Sequence, residues 1–134
     1  MGHDNKNGYT SLGQSESLVR LGVDPNTADM HHRIEGDEWY DTSLCYDADD
    51  AKGDGKYVPC WSLNALIELF PTGDNAPVFT LTRCGTDIAT EQTNDDWYAE
   101  WESDDTYLVF HDPSAVGAVI QLLSKLIQDK RIKL

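Results

Sequence analysis

The residues in this sequence best suited to chemistry are its acids, histidines and cysteines, and the densest group is D-A-D-D-A-K-G-D-G-K, Asp47 to Lys56. Carboxylates at alternate positions followed by glycine are how an EF-hand loop turns around calcium. Here the register fails. Starting at Asp50 puts Asp54 and Gly55 at the fifth and sixth positions, but Lys52 occupies the third and Trp61 the twelfth, where a bidentate glutamate is required. The expectation is a solvated surface loop.

The other candidates for metal or catalytic work are sparse. His31 and His32 are adjacent, so they point about 100° apart on a helix and to opposite faces of a strand. Neither arrangement suits a shared metal. His3 falls in a polar N-terminal tail and His111 at the end of an expected strand, and neither C-x-x-C nor H-x-x-x-H occurs. Cys45, Cys60 and Cys84 are widely spaced and odd in number, which gives no disulfide framework; they read as small buried hydrophobes. Cys60 with His111 would make a nucleophile and base only if the fold brought them together, and nothing in the sequence does so. The serine-hydrolase elbow, the phosphate-binding glycine loop and the H-E-x-x-H zinc motif are all missing. No catalytic, cofactor-binding or metal-binding residue is assigned.

Charge narrows the partners. The 134 residues hold 24 acids against 10 bases, a formal charge of −14. Direct binding to nucleic acid is not expected, because it requires clustered cations to displace counterions from phosphates. The only such cluster, Lys130, Arg131 and Lys133, is read as complementing the dipole of a C-terminal helix. The acidity serves solubility first; a basic protein partner and mimicry of a nucleic-acid backbone are the other readings. No signal-type segment and no run of about 18 apolar residues is found. A cytoplasmic protein with no membrane contact is the expectation.

The elements that must position these residues follow from periodicity and caps. Met1 to Thr10 is expected to be a disordered tail, and residues 11–134 a single domain. Ser11 and Gln14 form a capping box opening a short helix with Leu12, Leu18, Val19 and Leu21, stopped at Gly22. Pro25 and Asn26 turn the chain, with Asn26 or Thr27 as cap. Trp39 to Tyr46 reads as a strand or extended segment. Leu63, Leu66, Ile67 and Phe70 fall at i, i+3, i+4 and i+7 after the N-cap Ser62 and before Pro71, which predicts a second helix with Trp61 packed beside it. Strands are expected at Val78 to Cys84, Trp97 to Glu102 and Thr106 to His111, the last two as a hairpin, with Asp87 to Asp96 a polar connection. Asp112 as N-cap and Pro113 at the first position open the last helix, whose Val116, Val119, Ile120, Leu123, Leu126 and Ile127 form one seam.

The fold class is therefore α+β: a small antiparallel meander of about three strands, covered on one face by helices, with a long amphipathic C-terminal helix. In Trp97 to Glu102 the alternation puts Trp97, Ala99 and Trp101 on the core face and Tyr98, Glu100 and Glu102 on the other. Tyr98, Glu100, Glu102 and Tyr107 are the candidate interface residues, since amphipathic aromatics tolerate both water and a partner.

Two segments are distinctive as a pair: S-L-G-Q-S-E-S-L-V-R-L-G-V-D-P-N-T-A-D-M, Ser11 to Met30, and P-C-W-S-L-N-A-L-I-E-L-F-P, Pro59 to Pro71. Together with the C-terminal strand and helix they resemble a family of small proteins of uncharacterised activity from Bacteroides-type gut bacteria, their phages and integrated prophages. The resemblance does not extend to the acidic loop or the first ten residues. It implies a mobile-element origin, a cytoplasmic location and an α+β fold, and it carries no catalytic residue. Thr27, Asp29 and Trp61 read as residues that cap, turn and fill.

The function expected is that of a non-enzymatic accessory protein that binds another protein. The alternatives are a small hydrolase or transferase with an unrecognised site and an acidic mimic that binds a DNA-binding protein. The seam of the last helix predicts that Ile120→Asp prevents folding; a cooperative thermal transition at unchanged temperature would refute it.

Overall fold

Ser11 opens the first helix by the reciprocal bonds its sequence promised. Its hydroxyl accepts from the Gln14 amide and the Gln14 side chain accepts from the Ser11 N–H, which satisfies two donors the first turn leaves unpaired. The structure, a computed structural model, describes residues 8–34, 42–45, 56–83, 86–87, 92–93 and 96–132. Helix α1, Leu12–Arg20, ends in a Schellman motif: Gly22, at φ 97°, donates to the Val19 carbonyl and Val23 to that of Leu18. Leu18 and Val23 are buried. Val19, expected to be an apolar contact, is exposed, and the polar Ser15 takes a buried place on this helix.

A 3-10 turn, Pro25–Thr27, follows, capped by Asp24 and not by Asn26 or Thr27. The Asp24 carboxylate reaches the Asn26 N–H across two residues, the short bond that aspartate favours. Strand β1, Met30–Ile34, is central in an antiparallel sheet between β2, Thr42–Cys45, and β3, Lys56–Cys60. Pro59 is tolerated because β3 lies at the edge, where one N–H is not needed by the ladder. This sheet is not legible in the sequence as a unit. One core position of β1 is a histidine, His32, so the alternation Met30, His32 did not read as apolar.

Helix α2, Leu63–Ile67, takes Ser62 as its N-cap and is shorter than its apolar pattern suggests. The Leu69 and Phe70 N–H groups bond three residues back, tightening the last turn, and this still buries Leu66 and Phe70.

The second sheet has the order β4-β7-β8, built from β4, Val78–Arg83, β7, Trp97–Glu102, and β8, Tyr107–Asp112, all antiparallel. The polar connection expected at Asp87 to Asp96 takes part in a small hairpin of β5, Thr86–Asp87, and β6, Gln92–Thr93. Helix α3, Ala115–Gln128, packs on β7 and β8 on one side and α2 on another. Its N-cap is Ser114 and not Asp112. Asp112 remains in β8, where its carboxylate accepts from the Ser114 N–H and the Gln121 amide. A Cβ at Gly117 would come within 2.3 Å of Asp112 Oδ2, so glycine leaves room for that carboxylate against the first turn of the helix.

The chain is thus an α+β protein with antiparallel sheets and a C-terminal helix. One core joins Leu18, Trp61, Leu66, Trp101, Leu122 and Leu123 with the α3 seam. Thr10, expected in the tail, is completely buried. Residues 1–7, the acidic loop Asp47 to Asp54, Trp39, Tyr40, Cys84 and Lys133 lie outside the described residues. Among the described residues no helix is long and apolar enough to cross a membrane.

Burial of α3 is wider than the expected seam, since Ala118 and Leu122 are buried too, while Ile120 is only partly covered. An aspartate at position 120 therefore reaches water more readily than one deeper in the core. Leu123→Ala should cost about 2–5 kcal/mol, from lost burial plus the cavity left behind. Chemical denaturation of both variants should show a larger loss for Leu123→Ala than for Ile120→Ala.

Candidate functional site

Two places concentrate polar or aromatic side chains, one inside the protein and one on its surface. The inner one is built where the N-terminal segment crosses α1, β1 and β3. Tyr9 forms a β-bridge with Ser62, and the Thr10 N–H donates to the Trp61 carbonyl at 2.9 Å. The Thr10 hydroxyl accepts from the Trp61 N–H at 3.0 Å, lies 2.7 Å from the Ser15 hydroxyl and donates to Cys60 Sγ at 3.7 Å. The Thr10 carbonyl accepts from the Cys60 thiol at 3.4 Å and lies 2.8 Å from His32 Nε2.

This settles the chemistry available to Cys60. Two donors converge on one carbonyl, so His32 Nε2 must carry its proton there and cannot act as base toward the thiol. Burial is the main cause that pushes the Cys60 thiol up to about 11, with the nearby Asp29 charge acting the same way against the hydrogen bonds from Thr10. A thiol so protonated and enclosed is not a nucleophile at neutral pH. The proposed partner His111 sits in the other sheet, with Nδ1 2.7 Å from Asp96 Oδ2.

The two distinctive sequence segments meet at the same place. Trp61 Nε1 donates to the Thr27 hydroxyl at 2.9 Å, while the Asp29 carboxylate accepts from both the Ser62 N–H and the Ser62 hydroxyl. Trp61 thus fills the core and Asp29 holds the start of α2, while Thr27 receives the indole N–H and caps no helix.

The surface place is the face of β4-β7-β8 turned away from α3. The register sets its rows. Val78, Glu102 and Tyr107 form the first, Thr80, Glu100 and Val109 the second, and Thr82, Tyr98 and His111 the third. Tyr98 stacks on His111 with ring centroids 5.3 Å apart. Val78, Tyr107 and Val109 are 61%, 57% and 43% exposed, three of the four exposed large hydrophobics among the described residues. Hydrogen bonding to Glu100 is the first cause that holds the Tyr107 phenol above its ordinary range, with some burial and the charges of Glu100 and Glu102 adding to it. The structure thus brings Tyr98, Glu100, Glu102 and Tyr107 onto one face. The sequence reading did not find Val78 and Val109, which join them only through strand pairing.

A brace fixes the tip of this hairpin. Asp105 accepts from the Ser103 hydroxyl and from Arg131 Nη1, contacts that hold its carboxyl below the ordinary range, with Ser103 the larger cause. The Arg131 guanidinium also sits over the Trp101 ring, 5.9 Å from its centroid. Of the cations read as completing a helix dipole, Arg131 thus also braces the hairpin. Arg131 lies beyond the helix end, and Lys130 takes the left-handed C′ position, φ 58°, of a second Schellman motif. Among the described residues no group of three or more His, Cys, Asp or Glu is placed to hold a metal ion.

The Cys60 geometry gives a pH dependence whose sign is fixed. The folded thiol titrates near 11 against 9.0 for an unperturbed one, so above the lower value the unfolded chain holds fewer protons than the folded one. The stabilisation is full below pH 9.0 and is lost as pH rises toward 11. In a Cys45→Ala/Cys84→Ala background, Cys60 should resist a disulfide reagent at pH 8 until the protein is unfolded. Stability should fall between pH 9 and 11 more steeply than in the further Cys60→Ala variant.

Comparison with models of protein families, with curated proteins and with solved structures found no match to this chain.

Proposed function

We propose that this chain is a non-enzymatic accessory protein, of phage or mobile-element origin and cytoplasmic location, that works by binding another protein through the outer face of β4-β7-β8. The observation that carries the reading is the gathering of Val78, Tyr107 and Val109 in the open on one sheet face. Isolated exposed hydrophobics are ordinary, but three on one sheet face, flanking Glu100 and Glu102, mark a contact surface. Tyr98 and Tyr107 offer large, stiff contact area with a polar end. The sequestration of Cys60 supports a binding role over the nucleophilic alternative, and the junction of the two distinctive segments around Trp61 supports a structural role for them.

The test is site-specific photo-cross-linking in the source cell. A photoreactive residue replacing Tyr107 should give a discrete, reproducible protein adduct, and one replacing the exposed Asp24 should not. Tyr107→Ala/Val109→Ala should reduce recovery of the same partner by about tenfold, the scale of one or two interface anchors, with little change in melting temperature. Equal labelling from both positions, or none from 107, would remove the basis of the reading.

A further inference from the structure

Resting on that reading, we infer that the partner of this face is a cationic protein segment carrying two Lys or Arg side chains about 6–7 Å apart with apolar residues beside them. Glu100 and Glu102 lie two apart on the central strand β7, so their carboxylates rise side by side along the middle of the face. Val78 and Tyr107 flank Glu102, and Thr80 and Val109 flank Glu100. The face is thus an acidic ridge with apolar shoulders.

No Lys or Arg stands in any of its three rows, and among the described residues neither glutamate pairs with a cation of its own. Among the described residues of the three rows, the one group able to carry positive charge is His111, and it is engaged with Asp96. The chain as a whole adds a charge of −14, which repels nucleic acid and draws basic surfaces. A second copy is a poor occupant: two such faces brought together would set glutamate against glutamate in a partly dry contact. Two cations at alternate positions of an extended strand, or one turn apart on a helix, match the spacing of Glu100 and Glu102. Their methylene stems would lie on Tyr107 and Val109.

The probe is an acetylated octapeptide alternating lysine and valine, titrated into the isotopically labelled full chain, with the glutamate-for-lysine peptide as control. Amide shifts should concentrate on residues 98–102 and 107–109 for the lysine peptide and be negligible for its control. Glu100→Gln/Glu102→Gln should weaken binding about tenfold, whereas Asp24→Asn/Glu68→Gln, which removes equal charge outside the three rows, should change it by less than about twofold. If the two double variants weaken binding equally, or shifts spread over the whole acidic surface, the attraction is only net charge and the inference fails. Loss of binding in Tyr107→Ser/Val109→Ser with none in Glu100→Gln/Glu102→Gln would also overturn it, while leaving the face as an interface. No localised shift with either peptide, together with no adduct from position 107 in the source cell, would overturn both. Dimer formation by the chain itself through this face would overturn the inference in favour of a second copy.

Discussion

The structure turns on the burial of Thr10. A backbone N–H, a carbonyl and a hydroxyl are withdrawn from water at one residue, and each would cost about 1–3 kcal/mol if left unpaired. All three find partners, drawn from α1, β1 and the junction of β3 with α2: Ser15, His32, Cys60 and both main-chain groups of Trp61. Only one relative placement of these segments satisfies the whole set. A purely apolar contact here would fill the same space while permitting the segments to slide. Trp61 then extends the constraint outward, since its indole is buried in the main core while its N–H is tied to Thr27.

This explains which parts of the fold were legible in the sequence. The Ser11 and Ser62 caps, the Gly22 stop, the last hairpin and the amphipathic α3 rest on local chemistry and periodicity, and those are written within a few residues. The β1 sheet depends on a distant event. His32 can occupy a core position only because the Thr10 carbonyl, 22 residues earlier in the chain, receives its N–H. Thr10 itself reads as tail because its partners are far along the chain. The start of α3 was misplaced for a related reason: Asp112 and Ser114 are both competent caps, and the choice is made by β8, whose pairing with β7 runs through Asp112.

The candidate surface was half legible. Alternation along β7 separates Tyr98, Glu100 and Glu102 from the core residues between them, of which Ala99 and Trp101 are buried. Along β4 and β8 the same period holds, but both faces carry β-branched or aromatic residues, so the pattern does not say which face is wet. Val78 and Val109 become surface residues only once the register places them opposite Glu102 and Glu100. Hydrophobicity marks a residue as apolar; pairing decides whether the apolar group is core or contact.

The core and the outer sheet face are also mechanically linked. The inner face of β4-β7-β8 is held against α3 through Trp101, Phe79, Leu108 and Phe110, and α3 in turn is fastened to the tip of the hairpin by Arg131 bonding Asp105 over Trp101. The exposed ion pair adds little stability by itself. Its value lies in geometry: it ties the end of the last helix to the turn between β7 and β8, the strands that carry Glu100, Glu102 and Tyr107. Because those side chains stand on strands already fixed from behind, a partner meeting them would have little backbone to order. The entropic cost of association then falls mainly on the side chains themselves.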